Sequence, residues 1–352
     1  MTRRELEQLI RATGSLAEEL RAEADRVRRS IVGEEVHLRG IIEFSSYCCR
    51  HCLYCGLRRD NRALRRYRMR PEEIVSAAEE VERLGLGTVV LQSGEDEAWT
   101  AEALAKVIAE IKARTRLAVT LSVGERAAWE YRLWRDAGAD RYLLKHETSD
   151  RALYTRLRPG TSFENRLRCL EALLELGYQV GSGCIVGLPG QTARSLAEDL
   201  LLMQRLGVHM VGLGPLIPHP QTPLASMPVG PAEVTLNLLA LTRLLIPDVL
   251  LAATTALETA MAGGRLAGLR AGANVIMPNL TPRRYASFYE IYPDRAGAQL
   301  SEEEEVHRAR QVIRLAGRTL GRGPGHSPRI AARAAQAVGA VFVGTCRLSI
   351  GT

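Results

Sequence analysis

Short apolar segments typical of β-strands alternate with amphipathic segments typical of α-helices along most of the chain, and no other feature constrains the fold as strongly. We predict eight strands, at 40–46, 88–93, 117–122, 141–146, 179–186, 210–217, 249–255 and 274–277. The helical segments between them include 71–84, 101–113, 162–176, 195–206 and 232–245. A strand followed by a helix, repeated in series, is the unit from which parallel sheets are built.

Eight such units predict an α/β fold, a (β/α)8 barrel of the TIM type, with a doubly wound open sheet as the alternative. No segment rich in proline, glycine or serine divides the repeats, so we expect a single barrel domain over 39–292. A helical extension at 1–38 precedes it, and a second helical extension at 293–352 is expected to pack on it. In such barrels the loops that follow the strands build the active site.

Composition and charge exclude several classes of protein. Hydrophobic residues make up 46% of the chain and charged residues 25%, which is ordinary for a folded enzyme and unlike a disordered chain. Apolar runs end well short of the ~20 residues that cross a bilayer, and 1–19 lacks the apolar core of a signal peptide, so we expect a cytoplasmic protein that does not bind membranes. We interpret the net charge of +7 as a solvated basic face or a site for an anionic partner, not a nucleic-acid site.

Four of the seven cysteines lie within eight positions, directly after the first predicted strand. Cys48, Cys52 and Cys55 have the spacing Cys-x3-Cys-x2-Cys. Three thiolates on a four-iron cluster leave one iron without a protein ligand, and a reactant can bind at that open position. The crowding also suits a metal site in a reducing compartment better than a disulfide framework.

Two other metal sites could use the same segment. A structural zinc ion needs four ligands, and Cys49 or His51 would supply the fourth, but adjacent ligands strain tetrahedral geometry and no second Cys-x2-Cys pair follows. A ferredoxin-like cluster on Cys49, Cys52 and Cys55 would need a further cysteine at position 59, where the chain has Arg59. The Cys-x3-Cys-x2-Cys trio is therefore favoured, and Cys49 is interpreted as a bystander.

This trio, with the aromatic residue Tyr54 before its last cysteine, resembles the signature of the radical S-adenosylmethionine (SAM) superfamily. The resemblance implies that Cys48, Cys52 and Cys55 bind a 4Fe-4S cluster whose fourth iron is chelated by the amino and carboxylate groups of SAM. An electron from the cluster would then cleave SAM to methionine and a 5'-deoxyadenosyl radical. By the same resemblance, Tyr54 lies near the adenine.

Further blocks between about 40 and 295 resemble HydE, the radical SAM maturase family of iron-iron hydrogenase, in that family's order. They are 55–61, 66–68, 90–96, 142–148, 157–166, 186–192, 214–220, 253–255 and 277–279. The resemblance implies a small anionic substrate, a cysteine-bound iron complex with carbonyl and cyanide ligands made by the maturase HydG, which the radical attacks on the way to the diiron subcluster. It also implies HydG-type and HydF-type maturases as partners, and an electron donor such as ferredoxin or flavodoxin.

Several polar residues follow predicted strands and are expected at the mouth of the barrel. Gln92 and Ser93 end the second strand, where they can meet a polar ligand or cap a helix. Glu147 and Arg166 carry opposite charges suited to the ammonium and carboxylate of SAM, and a plain surface ion pair is the other explanation. The resemblance assigns to SAM binding Tyr54, Gln92, Ser93, Glu147, Arg166 and Met277.

Hydroxyls and positive charges on the strands predict an anion pocket deeper in the barrel, with a layer of internally satisfied hydroxyls as the alternative. The predicted substrate-binding residues are Thr120, Ser122, Arg141, Lys145, Thr254 and Thr255. Lys145 stands where the family pattern has an arginine, and lysine cannot form a planar bidentate clamp. No cysteine occurs at 293–310 and only Cys346 follows, so one cluster is expected.

Two other functions are compatible with the sequence. A related radical SAM enzyme such as methylornithine synthase, which rearranges lysine, shares the cofactor and the barrel. A non-catalytic scaffold that passes an iron-sulfur cluster to a partner would keep the cysteines without cleaving SAM. Measuring SAM cleavage separates the scaffold from either enzyme, and turnover of lysine separates the two enzymes.

Overall fold

A computed structural model of the chain describes residues 1–330. Within that range the strands are β1 (Glu35–Leu38), β2 (Gly40–Ser45), β3 (Thr88–Ser93), β4 (Ala118–Ser122), β5 (Arg141–Leu143), β6 (Gln179–Ser182), β7 (Ile185–Val186), β8 (Met210–Val211), β9 (Gly214–Pro215), β10 (Leu250–Ala253), β11 (Val275–Ile276) and β12 (Thr319–Leu320). The helices of the same range are α1 (Arg3–Ile10), α2 (Gly14–Val32), α3 (Pro71–Arg83), α4 (Ala101–Arg114), α5 (Ala128–Asp136), α6 (Arg151–Leu157), α7 (Phe163–Glu175), α8 (Ala193–Leu206), α9 (Ala232–Leu245), α10 (Thr255–Ala260), α11 (Gly264–Arg270), α12 (Arg283–Ala286) and α13 (Glu302–Leu315).

The main sheet is parallel and curls into a barrel that closes at Arg39. β1 and β2 are one stretch of chain interrupted by this residue, and β2 pairs with β3 while β1 pairs with β11. Hydrogen bonds from the N–H groups of Arg39 and Ile41 to the carbonyls of Ile276 and Pro278 continue the seam. In the described range, the eight positions around the barrel are β1 with β2, β3, β4, β5, β6, β8, β10 and β11. The predicted (β/α)8 architecture is therefore confirmed.

The helices pack outside the sheet because each buries an apolar stripe against it. α3 begins at Pro71, whose fixed φ and missing N–H suit the first helical position, and Glu72 and Glu73 favour the same end through the helix dipole. Its buried side chains, including Ile74 and Val81, face β2 and β3. Each such helix returns the chain to the start of the next strand, so the loops after the strands gather at one mouth.

The five predicted helices agree with α3, α4, α7, α8 and α9 to within two residues at either end. The strand β12, in the predicted C-terminal helical extension, was not predicted, and β5 ends at Leu143 although a strand was predicted to 146. Three further differences concern the barrel. Residues 35–38 form β1 and belong to the barrel, although they were predicted within the N-terminal helical extension. The predicted strand at 179–186 divides into β6 and β7, and that at 210–217 into β8 and β9. The division points, Gly183 and Gly212, lie so close that a Cβ on Gly183 would be 2.1 Å from the Gly212 carbonyl oxygen.

The ends of the described chain cover the outer wall and the floor of the barrel. α1 and α2 pack on α8 and α9, and a buried ion pair between Arg265 and Glu305 attaches α13 to α11. Carbonyl oxygens of Pro324 and Gly325 accept hydrogen bonds from Arg141 beneath the strands. The rest of the predicted C-terminal extension, including Cys346, lies outside the described residues. No helix in the described part is long and apolar enough to cross a membrane.

Candidate active site

A cavity of about 290 Å³ opens at the carboxyl ends of the barrel strands. It is lined by the loops that follow β2, β3, β4 and β5, by Arg158 and Arg166, by Ile185, 214–217 and Ala256, and by Tyr289, Ile291 and Tyr292. The predicted site residues that line it are Cys48, Cys52, Tyr54, Cys55, Gln92, Ser93, Ser122, Lys145, Glu147 and Arg166. The predicted site residues that lie elsewhere are Thr120, Arg141, Thr254, Thr255 and Met277.

The loop that carries the cysteines, residues 46–57, is called the cluster loop below. It is fixed by backbone hydrogen bonds to two neighbouring loops. The N–H of Cys49 donates to the carbonyl oxygen of Glu95 at 2.9 Å, and the N–H of Leu53 donates to that of Leu157 at 2.9 Å. These bonds hold the three predicted cluster ligands on one wall of the cavity without using their thiols.

The surroundings of the thiols favour metal binding. Burial raises the pKa of the Cys48 thiol to about 12, and burial also raises the pKa of Cys55. Such thiols lose their protons readily only beside positive charge, which the irons of a cluster supply. Gly94 packs against the loop, where a Cβ would lie 2.7 Å from the Cβ of Cys48, so this close approach requires glycine. The donor set therefore fits an iron-sulfur cluster.

A single metal ion has less support at this loop. Among residues 1–330, no three His, Cys, Asp or Glu side chains, the cysteine trio included, are arranged as the ligands of one ion would be. Cys49 lines a neighbouring cavity with Glu97 and Glu130 and does not line the cavity that the cysteine trio shares. The structure thus separates Cys49 from the trio.

Glu147 occupies a strained turn shortly after β5. Its φ is +66°, in the left-handed region that residues with a Cβ rarely adopt. Its N–H donates to the carbonyl oxygen of Gly183 at 3.0 Å, and its own carbonyl oxygen accepts from the N–H of Ile185 at 3.0 Å. Within the described chain its carboxylate forms no hydrogen bond or ion pair and lines the cavity, so it can accept from a cationic ligand.

Arg166 reaches the cavity from α7. Its Nε lies 2.8 Å from Oε1 of Glu125 and donates to the Tyr154 hydroxyl at 3.2 Å. Its Nη2 is buried and has no hydrogen-bond partner among the described residues, and it lies 3.9 Å from Oε1 of Glu95. A buried guanidinium edge without a partner is suited to an anionic group such as a carboxylate.

The structure also shows charged residues that the sequence prediction missed. Arg158 donates to the phenol oxygen of Tyr54 at 3.0 Å and holds the ring at the cavity wall. Glu95 forms an ion pair with Arg50, and its Oε1 lies 3.7 Å from Nη2 of Arg158. Glu95 and Arg158 fall within segments that the sequence resemblance singled out, and that position was the available signal.

Ser122 and Lys145 line the inner part of the cavity. Ser122 ends β4, in register beside Gln92 on β3. Lys145 follows β5, and in the part of the chain that the structure describes its ammonium group forms no ion pair or hydrogen bond. A cation without a partner, lining the same cavity as a hydroxyl, suits an anion.

Arg141 lies at the barrel floor and Thr120 lies outside the cavity lining, which corrects their predicted place in the substrate pocket. Arg141 begins β5 and donates to Oγ1 of Thr88 at 3.0 Å and to the carbonyl oxygen of Pro324 at 2.7 Å. Thr120 pairs with Arg141 in register and is buried. Alternation along a strand predicts the face that a side chain occupies but not its depth along the barrel axis.

Met277, predicted to bind SAM, does not line the cavity. It packs on an apolar cluster of β8, β10 and β11.

Thr254 and Thr255 lie at the start of α10, where their hydroxyls form hydrogen bonds within the protein. Neither lines the cavity, so the predicted pocket is wrong for these two residues. Thr254 is the N-cap residue, whose Oγ1 accepts from the N–H of Leu257 and donates to the carbonyl oxygen of Leu213 at 3.0 Å. Oγ1 of Thr255 accepts from Nη2 of Arg265 at 3.1 Å. Hydroxyls that cap a helix in this way are already satisfied.

Comparisons with known proteins agree with this geometry. The family model of the radical SAM superfamily matches residues 42–220. The chain is 50% identical over 307 residues to the [FeFe] hydrogenase maturase subunit HydE of Thermotoga maritima, covering 87% of this chain and 88% of that protein. It is 30% identical over 255 residues to the 3-methylornithine synthase of Methanosarcina acetivorans, covering 72% of each.

Two solved structures share the fold. A crystal structure of methylornithine synthase superposes with a TM-score of 0.80 at 25% identity, covering 91% of this chain and 94% of that one. The FeFe-hydrogenase maturase HydG from Carboxydothermus hydrogenoformans gives a TM-score of 0.75 at 21% identity, covering 90% and 75%. With a cysteine trio, an unpaired carboxylate and an unpaired guanidinium edge around one barrel mouth, the chain belongs to the radical SAM superfamily and, within it, to the HydE family.

Proposed function

We propose that this chain reductively cleaves SAM and acts as a HydE-type maturase in assembly of the diiron subcluster of [FeFe] hydrogenase. The observation that carries the proposal is the convergence of the cysteine trio, Glu147 and Arg166 on one cavity. The 50% identity to a HydE protein supports the same function.

Cys48, Cys52 and Cys55 would hold one 4Fe-4S cluster, since the cluster loop presents these three thiols on one cavity wall. When bound, the cluster supplies the electron that converts SAM into methionine and a 5'-deoxyadenosyl radical. The protein's own contribution is to hold the reactants on the cavity wall that carries the three cysteines.

The charges around the cavity would orient SAM. The unpaired carboxylate of Glu147 suits its ammonium group, and the unpaired Nη2 of Arg166 suits its carboxylate. Tyr54, held by Arg158, would lie beside the adenine. Gln92 and Ser93 would add polar contacts at the end of β3.

The inner cavity would receive the substrate, which we propose is the cysteine-bound iron carbonyl cyanide complex. Lys145 and Ser122 are the predicted pocket residues that line the cavity, and an unpaired cation and a hydroxyl in one cavity suit a small anion. HydG-type and HydF-type maturases would supply the substrate and receive the product. The setting we propose is cytoplasmic, with a ferredoxin or flavodoxin as electron donor.

Formation of 5'-deoxyadenosine tests the proposal. The protein is reconstituted anaerobically with iron and sulfide, reduced with dithionite and given SAM, beside a variant with Cys48, Cys52 and Cys55 changed to alanine and a control with Cys49→Ala. We expect product from the wild type and the control and none from the triple variant. A full cluster with bound SAM and no 5'-deoxyadenosine, even with the iron substrate present, would contradict the proposal and favour a scaffold.

A second candidate is rearrangement of lysine, as in a methylornithine synthase. It is favoured by the 30% identity to such an enzyme and by the superposition with a TM-score of 0.80. The same reconstituted protein with lysine or with the iron substrate decides between the two. Methylornithine formed from lysine would support the second candidate, and consumption of the iron complex would support the first.

A further inference from the structure

Residues 58–70, here called the arginine segment, carry more positive charge than the active site uses. The segment contains seven arginines and one aspartate. Three of the arginines are paired with carboxylates: Arg58 with Asp60, Arg68 with Asp96, and Arg70 with Glu72. Arg66 turns inward, where it donates to backbone carbonyl oxygens. The charge of the other three arginines is left on the surface.

Those three, Arg59, Arg62 and Arg65, are exposed. Within residues 1–330, none of them forms an ion pair. The guanidinium carbon of Arg65 lies 4.3 Å from the centroid of the Phe288 ring, so an aromatic contact holds it in place. Unpaired arginines so close together produce a positive surface potential that is strongest at low ionic strength.

The arginine segment is attached directly to the cluster loop. The N–H of Arg59 donates to the carbonyl oxygen of Arg50, within the cysteine run, at 2.7 Å. Nη2 of Arg66 donates to the carbonyl oxygen of Arg58 at 2.7 Å, and its Nη1 donates to that of Leu57 at 3.0 Å. The exposed arginines are therefore fixed to the backbone that positions the cysteine thiols.

The cluster loop itself reaches the solvent beside these arginines. The side chain of His51, which precedes Cys52, is 39% exposed. Phe288, which lies against Arg65, precedes Tyr289 and Ile291, and both of these line the active-site cavity. A protein bound to the arginines would therefore lie beside the cluster loop.

We propose that Arg59, Arg62 and Arg65 form the docking surface for a small acidic redox protein that delivers one electron to the cluster. The inference rests on the proposed function, because it requires a cluster on the cysteine trio. The reduced carrier loses one electron and leaves oxidised by one electron, the cluster gains that electron, and no bond is formed or broken. Complementary charge raises the rate of association and orients the carrier toward the cluster loop.

The test compares rates of cluster reduction by flavodoxin hydroquinone, an acidic flavoprotein, in an anaerobic stopped-flow instrument. One variant reverses the charges (Arg59→Glu, Arg62→Glu, Arg65→Glu), and a second places glutamine at the same positions. A matched control changes three other exposed arginines that form no ion pair in the described chain, Arg11, Arg116 and Arg132, to glutamate. Cluster content and thermal stability of each variant are measured first.

At low ionic strength the charge-reversal variant should be reduced about tenfold more slowly than the wild type, with the glutamine variant between them. The wild-type rate should fall as salt is added, and the rate of the charge-reversal variant should not. The control should keep the wild-type rate. The final yield of 5'-deoxyadenosine with excess dithionite should be the same in all four proteins.

Equal rates in the wild type and the charge-reversal variant at every ionic strength would overturn the docking surface. So would equal slowing of the control, which would indicate a general effect of net charge. Binding of nucleic acid or of another maturase at these arginines, with an unchanged rate of reduction, would overturn it too. Failure of the wild type to form 5'-deoxyadenosine with dithionite would instead count against the proposed function, while the rate comparison still decides the docking surface.

Discussion

At the scale of single residues, the strained backbone of Glu147 is explained by the position of its side chain. A residue with a Cβ at a φ of +66° costs about 1 kcal/mol relative to glycine. The side chain gains no internal hydrogen bond from this conformation, since the carboxylate is unpaired among residues 1–330. The carboxylate lines the cavity, so we infer that its use is to contact the ligand.

Replacing Glu147 should separate stability from ligand binding. Glu147→Gly should raise the free energy of unfolding by about 1 kcal/mol because the strain is relieved. The same change should weaken SAM binding by about tenfold or more, since a charge-assisted hydrogen bond is lost. Glu147→Gln, which keeps the shape without the charge, should weaken SAM binding as well. Thermal unfolding and anaerobic SAM titration measure the two effects.

Asp294 offers a matched control, because it also has a positive φ, +49°, and does not line the cavity. Asp294→Gly should stabilise the protein and leave the affinity for SAM unchanged. Wild-type affinity for SAM in Glu147→Gly would show that the carboxylate does not contact the ligand.

At the scale of elements, helix α8 holds the turn on which Glu147 stands. Oδ1 of Asp199, on α8, lies 3.3 Å from Nε2 of His146 and accepts the N–H of Ser149. The other ring nitrogen of His146 lies 3.0 Å from Oγ of Ser182 on β6. These contacts are buried on both sides of Glu147, so a neighbouring helix and strand fix the backbone of the strained turn.

Asp199 should therefore act as a positioning residue for SAM binding. Asp199→Ala leaves the half-buried N–H of Ser149 without its acceptor, which should lower the free energy of unfolding by about 1–3 kcal/mol and weaken SAM binding. Asp199→Asn retains an acceptor oxygen and should restore most of the affinity. Asp248→Ala, which breaks the distant ion pair with Arg329, is the control, expected to lower stability alone. SAM titrations well below the unfolding temperature check this, and wild-type affinity in Asp199→Ala would contradict it.

The periodicity of the sequence predicted the order of strands and helices because each element satisfies its own hydrogen bonds and apolar pattern locally. It did not predict the features that depend on approaches between distant residues. The close contact of Gly183 with Gly212 divides two predicted strands. Closure of the barrel on either side of Arg39 turns residues 35–38 into a strand, although they follow a helix directly.

Where spacing carried the information, the residues predicted from the sequence line the cavity. The cysteine trio was chosen by its spacing, and all three residues line the cavity. Glu147 and Arg166 were chosen by their charges and by the family resemblance, and they line it too. Depth along the barrel was not available, so Arg141 was predicted in the pocket although it lies on the floor. Thr254 carried a local signal, since a threonine just before a helical segment is typical of an N-cap.

At the scale of the whole molecule, the barrel floor concentrates positive charge, with Glu35 and Asp140 as the nearby carboxylates. Nη2 of Arg39 donates to the carbonyl oxygen of Gly325 at 3.2 Å, and Arg141 donates to the same oxygen at 3.1 Å. His37 lies close by, with a side chain that is 15% exposed. Burial, and then the charges of Arg39 and Arg141, lower the pKa of His37 to about 4.

This depressed pKa should make the stability of the whole fold depend on pH. A histidine in the unfolded chain titrates near 6.5, so below that pH the unfolded chain binds a proton that folded His37 does not bind until about pH 4. Stability is therefore fully present above pH 6.5 and is lost as the pH falls toward 4. From this residue alone, the free energy of unfolding should fall by about 2 kcal/mol between pH 7 and pH 5.

His37→Gln removes the titrating group, so its unfolding free energy should fall by about 2 kcal/mol less over the same interval. Urea unfolding of the metal-free chain, followed by tryptophan fluorescence, measures both proteins without a contribution from cluster loss. Burial and nearby Arg141 also lower the pKa of His326, but this second histidine is present in both proteins and cancels in the comparison. Equal pH dependence in the two proteins would mean that His37 takes up its proton in the folded state near the ordinary pH, and that the barrel floor is open to water.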